Sequence, residues 1–160
     1  LTDQYWRRCS EQSIIVKFWA NIFETFFHPY KKRLFRLFRN LPMVDMNGWT
    51  MRLDLRFLVS TLESHDFDGS EQVEAAAGKF ASSFNTSVTK LYEDKLKPVL
   101  VSKVHLNSVL QATKFIPPST IGNTILPIVQ IMGPSYYIYG LSVVDKEVYC
   151  LQKVCSFVYP

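Results

Sequence analysis

Arg52, Asp54 and Arg56 alternate with Met51, Leu53, Leu55 and Phe57 in the run MRLDLRF. That two-residue period belongs to a half-buried strand, with one apolar face and one face carrying a carboxylate between two guanidinium groups. Two kinds of chemistry fit such a face. Asp54 could hold a divalent cation such as Mg²⁺, which prefers hard oxygen ligands, or it could belong to a solvated ion-pair ladder. The arginines stabilise the same ionised carboxylate that a metal would require, and residue types alone leave both chemistries open.

Other chemistries find no footing. The chain has no GxSxG, no GxGxxG and no phosphate-binding glycine loop. His28, His65 and His105 are scattered and share no ligand spacing with a cysteine, so no zinc site is expected. His105, in the helical run VSKVHLN, reads as a structural residue rather than a general base. The DFDG at 66–69 is not a calcium loop, because Gly69 follows Asp66 too early. Cys9, Cys150 and Cys155 form no CxxC. Reduced thiols packed as small apolar groups, in an intracellular compartment (nuclear or cytoplasmic), are the expectation.

These residues must be positioned by a chain of 160 residues that is 48% hydrophobic and 14% aromatic. That composition excludes a disordered chain and suits one domain over 1–160, with 1–10 as a flexible N-terminal tail. No apolar run approaches the roughly 18 residues of a membrane span. With neither a starting methionine nor a signal-type apolar region, the chain reads as trimmed or partial. The net charge of +4 is unevenly spread. Lys and Arg outnumber Asp and Glu two to one over 1–60, whereas 61–78 holds Glu63, Asp66, Asp68, Glu71 and Glu74 with no cation.

Periodicity predicts a helix over 11–28, capped by Ser10 and stopped by Pro29, with Ile14, Ile15, Phe18, Trp19, Ile22, Phe23 and Phe26 on its apolar face. KKRLFRLFR, 31–39, reads as a short amphipathic helix with Lys32, Arg33, Arg36 and Arg39 on one side. A strand over 41–50 turns at Asn47-Gly48 into MRLDLRF, and an acidic loop follows. Residues 72–84 are ambiguous: three alanines favour helix, while Gly78 suits a closely packed strand. Residues 87–113 form a helical hairpin or one long helix interrupted by Pro98. Three strands, near 125–132, 136–144 and 147–153, close the chain. The class is α/β (α+β), with a β-rich C-terminal extension.

The order helix, strand, strand, ambiguous element, helix, strand resembles the αβββαβ core of the PD-(D/E)XK nuclease superfamily. The stretches LDLR (53–56), GKFA (78–81), KLYEDKLKPVLVSKVHLN (90–107) and PIVQIMG…YYIYGLSVVDKEVYCLQ also resemble a large group of uncharacterised fungal proteins, over most of 11–160. The resemblance implies a restriction-endonuclease-like fold. Its chemistry needs an acid on the second core strand and an acid plus lysine on the third, with Mg²⁺ activating water. It places Asp54 at the second-strand acid and makes Glu24 a candidate helical glutamate. With Lys79 as the motif lysine, the acid two residues earlier becomes Ala77, and no other register restores the pair. The vestigial candidates are therefore Asp54, Glu24 and Lys79. No metal site is expected, with Mg²⁺ a cofactor only of a functional nuclease site.

Three roles follow. A degenerate nuclease-like domain would bind DNA or RNA through Lys32, Arg33, Arg36, Arg39, Arg52 and Arg56. An interaction or structural module would use Tyr136, Tyr137 and Tyr139 of the aromatic C-terminal part, unless these pack within the sheet. A membrane-surface role would rest on 31–39 alone.

Overall fold

A computed structural model describes residues 3–27, 34–37, 41–42, 52–60, 72–81, 87–112 and 117–158. Helix α1 (Asp3–Arg8) leads into α2 (Glu11–Ile14), which continues through one π turn (Ile15–Trp19) into α3 (Ala20–Phe27). The expected tail is helical over 3–8, and Trp6 is only 4% exposed, its ring tilted against Phe18 at 4.7 Å between ring centres. Ser10 caps α2: its hydroxyl oxygen accepts the Ser13 N–H at 3.1 Å.

Strands follow as β1 (Leu34–Leu37), β2 (Leu41–Pro42), β3 (Arg52–Leu53), β4 (Leu55–Ser60) and β5 (Gln72–Ala81). Then come α4 (Val88–Ala112), α5 (Pro118–Ile121), β6 (Leu126–Met132), β7 (Ser135–Asp145) and β8 (Val148–Val158). The main sheet has the order β1-β4-β5-β6-β7-β8, and β2 pairs β3 separately. Every neighbour is antiparallel except β5 and β6, which run parallel because α4 carries the chain across the sheet between them.

One expectation is corrected. Residues 34–37 lie in a strand rather than the expected helix, paired with β4 from Leu34↔Val59 to Leu37↔Arg56. A four-residue apolar-basic run fits either period, and the ladder decides it. Lys32, Arg33 and Arg39 lie outside the described residues, as do the Asn47-Gly48 turn and the acidic loop of 61–71. The ambiguous 72–81 is the central strand β5, and 88–112 is one helix.

Alternation along β5 sorts the core. Ala76 and Phe80 pack with Trp19, Phe23, Leu55 and Phe57 under the N-terminal helices, whereas Ala77 packs with Leu53 and Val101 of α4. Helices therefore cover both faces. Gly78 allows the tight centre: a Cβ there would lie 3.0 Å from the Val129 carbonyl oxygen and 3.1 Å from a Leu55 methyl. Gly133, at φ 55°, makes the β6–β7 turn. Pro98 is buried within α4, where its ring removes the N–H that would bond the Asp94 carbonyl.

Candidate functional site

Asp54 does not sit within a continuous strand. The backbone bends there, so Leu53 and Leu55 are both fully buried but enter clusters on opposite faces of the sheet. The single apolar face expected of MRLDLRF is thus split. The β4–β5 ladder begins at Leu55↔Gly78. Continuing that register would set residue 54 opposite Lys79 and residue 53 opposite Phe80, but β3 has left to join β2. Asp54 supplies the missing bonds. Its N–H donates to the Gly78 carbonyl at 3.3 Å, and its carboxylate accepts the Phe80 N–H at 3.0 Å. A carboxylate at the break caps the strand pair much as an acidic side chain caps a helix.

The cation on this carboxylate is Lys79, whose Nζ lies 2.8 Å from each oxygen. Both side chains are nearly enclosed, at 13% and 11% exposure. Lys79 is a cross-strand cation on Asp54 that the expectation of Arg52 and Arg56 did not include. The Arg52 side chain lies outside the described residues. Arg56 stands opposite Ala77 in the ladder. Glu24 falls on α3, its side chain outside the described residues, and Arg36 is placed only by its register with Phe57.

A different helical glutamate feels the pair. Burial pushes the Glu11 carboxyl above its ordinary value, and the Asp54 charge adds to this, while Lys79 and Lys90 pull it down. Folding thus opposes ionisation of Glu11. Below the ordinary value near 4.5 the group is neutral in both states and has no effect; stability is lost as pH rises through the window up to the raised folded value. Glu11→Gln is expected to raise the melting temperature at pH 7 and leave it unchanged at pH 3. A loss of stability at pH 7 would contradict this placement of Glu11.

Two further polar groups complete the surroundings. Gln130, opposite Lys79 in the β5–β6 register, donates through Nε2 to the Leu91 carbonyl of α4 at 3.3 Å and accepts the Tyr139 hydroxyl at 3.4 Å. Asp94 on α4 is 3% exposed and pairs with Lys97 at 3.3 Å. Both carried a signal in the sequence: Gln130 interrupts the apolar run PIVQIM, and Asp94 falls in helical phase with Pro98 and Val101 on the buried side. Glu11 offered no such signal, because a glutamate in the first turn of a helix is ordinary.

Chemically, the site can hold a buried ion pair and order two strands. Among the described residues, no group of three His, Cys, Asp or Glu side chains is arranged to hold a metal. The cysteines depart from expectation. Cys150 and Cys155 lie exposed on β8 rather than packed, and only Cys9 contacts the core. Tyr136 and Tyr139 are core residues at 8% and 9% exposure. Burial, with a smaller contribution from Cys155, pushes the Tyr136 phenol up to about 12. Among the described residues, no helix is long and apolar enough to cross a membrane. No protein-family model, curated protein or solved structure matches the chain.

Proposed function

We propose that this is a catalytically degenerate domain of the PD-(D/E)XK nuclease fold that binds nucleic acid without cleaving it. One observation carries the reading: Lys79 and the Phe80 N–H occupy the Asp54 carboxylate, while Ala77 stands where a second acid would face it. The order of elements supports it. A helical segment precedes three antiparallel neighbours, β1-β4-β5, and α4 then leads to a parallel β6, with Asp54 beside the second of these strands and Lys79 on the third. The excess of cations over 1–60 provides the attraction to phosphate that survives loss of the metal.

The test is fluorescence anisotropy of labelled single- and double-stranded DNA with Mg²⁺ present, at 50 and 200 mM salt. Binding is expected to weaken several-fold with salt, with the DNA intact on a denaturing gel. Cleavage abolished by Asp54→Asn would overturn the degenerate assignment, and no binding at low salt would overturn the nucleic-acid role.

One observation favours a second reading, an interaction module. The edge strand β8 exposes Val148, Val154, Phe157 and Val158, and a long apolar edge is a template for strand pairing.

A further inference from the structure

Helix α4 packs along β5, β6 and β7 and reaches β8 through the contacts of Lys103 and Asn107 with Tyr149. The outer part of the same sheet face is left as a shelf beside the helix. Side chains on it alternate with those of the opposite face, so Tyr137, Tyr139, Leu141 and Val143 of β7 share it. Tyr149, Leu151 and Lys153 of β8 lie alongside, through the pairs Val143↔Tyr149, Leu141↔Leu151 and Tyr139↔Lys153. Apart from Lys153, these side chains form one cluster with Val99 and Leu110 of α4, in which Tyr137, Tyr149 and Leu151 remain partly exposed.

Three ammonium groups stand over the aromatic rings of this shelf. Lys95 Nζ lies 4.3 Å from the Tyr139 ring centre, Lys103 Nζ 4.6 Å from Tyr149, and Lys153 Nζ 5.4 Å from Tyr137. The Tyr149 hydroxyl donates to Asn107 Oδ1 at 2.6 Å, which fixes that ring against α4. Lys95, Lys103 and Asn107 spread over about 120° of the helix surface, and eight residues at 1.5 Å rise place the two lysines about 12 Å apart along the axis. None of the three lysines pairs with a carboxylate among the described residues. The carboxylates of α4 are Glu93, about 160° around the helix from Lys95 and about 15 Å along the axis from Lys103, and buried Asp94. Those of the β7–β8 hairpin, Asp145 and Glu147, are exposed at its turn.

We infer that this shelf is a binding surface for single-stranded nucleic acid, with Lys95, Lys103 and Lys153 as phosphate contacts and the partly exposed Tyr137 and Tyr149 as platforms for unpaired bases. The inference rests on the nucleic-acid reading above and moves its main contact surface from the N-terminal cations to the opposite end of the sheet. Charge and ring chemistry together select the partner. Ammonium groups alone would suit any polyanion, but rings in a sheet face add stacking that only unpaired bases can reach. Lys103 and Lys153 rest on the Tyr149 and Tyr137 rings in the free chain, and their movement to phosphate on binding uncovers those ring faces for bases.

The experiment compares a fluorescein-labelled 15-nucleotide oligo(dT) with a 15-base-pair duplex. Four proteins are used: the unaltered chain, K95Q/K103Q/K153Q, the matching triple Lys→Arg variant, and R36E/R56E. The unaltered chain is expected to prefer the single strand. The Lys→Gln variant should lose at least tenfold in affinity and about 2 in the slope of log K against log salt, as three lost phosphate contacts require. The Lys→Arg variant should retain binding, which excludes a folding defect. Loss in R36E/R56E with the Lys→Gln variant unchanged would overturn the shelf and leave the nucleic-acid reading standing. No binding by the unaltered chain would overturn both. Preference for the duplex, or equal competition by poly-glutamate at matched charge, would also overturn the inference.

Discussion

Asp54→Ala is expected to lower the stability of the fold by about 3–5 kcal/mol, the range for removing one member of a buried ion pair. In a chain of this length that is roughly 10 °C in melting temperature. Two losses combine. Lys79 keeps a charge in surroundings that leave it 13% exposed and loses the carboxylate 2.8 Å away. The Phe80 N–H loses its acceptor at the point where β3 has left the ladder. Asp54→Asn keeps a carbonyl for Phe80 and removes only the charge, so it should fall between. The control is Asp54→Leu with Lys79→Met, which replaces both partners by apolar groups and should recover the part of the loss that comes from the unpaired charge, leaving that of the Phe80 N–H. Urea denaturation of the single and double variants measures the coupling. A single variant within 1 kcal/mol of the unaltered chain would contradict the structural role given to this pair.

The second large effect is at Trp19. This residue is 1% exposed, stacks on Tyr136 at 5.2 Å between ring centres, and contacts Phe23 at 6.1 Å. Its indole N–H donates to the Gly133 carbonyl at 3.3 Å, joining the N-terminal helical segment to the β6–β7 turn. Trp19→Ala removes a large core side chain and should cost about 3–5 kcal/mol. Trp19→Phe keeps most of the aromatic packing but leaves the Gly133 carbonyl without this donor, a loss of about 1–2 kcal/mol. Chemical denaturation separates the two contributions. Equal losses in both variants would mean that the hydrogen bond, rather than the packing, holds the helices to the sheet.

These sites show which features the sequence made legible. The helix over 11–27 was readable because its apolar stripe and Ser10 cap agree, and Trp19 falls in that stripe. The three C-terminal strands were readable from their Ile, Val and Tyr content and the turn at Gly133-Pro134, although β8 runs to Val158, five residues further than the reading suggested. Residues 72–81 were not, since alanine propensity opposes an assignment that only the neighbours of β5 impose. The bend at Asp54 was hidden for a different reason. Strict alternation in MRLDLRF predicts one apolar face, and only the departure of β3 from the main sheet sends Leu53 to the other. Pairing Lys79 with Asp54 requires the β4–β5 register, which no local spacing contains. The shelf is more remote still, because its three lysines and three tyrosines come from α4, β7 and β8 and meet only after folding.

The proposal that Lys79 has taken the place of a metal at Asp54 is tested most directly by melting the protein with 0, 1 and 10 mM Mg²⁺ and Mn²⁺ at constant ionic strength. A working site with Kd near 0.1 mM would add about 2.7 kcal/mol at 10 mM, which is several degrees in a domain of this size. The ion pair described here predicts no saturable rise with either cation. A saturable rise that disappears in Asp54→Asn would show that Asp54 binds a metal, and the degenerate assignment would fall.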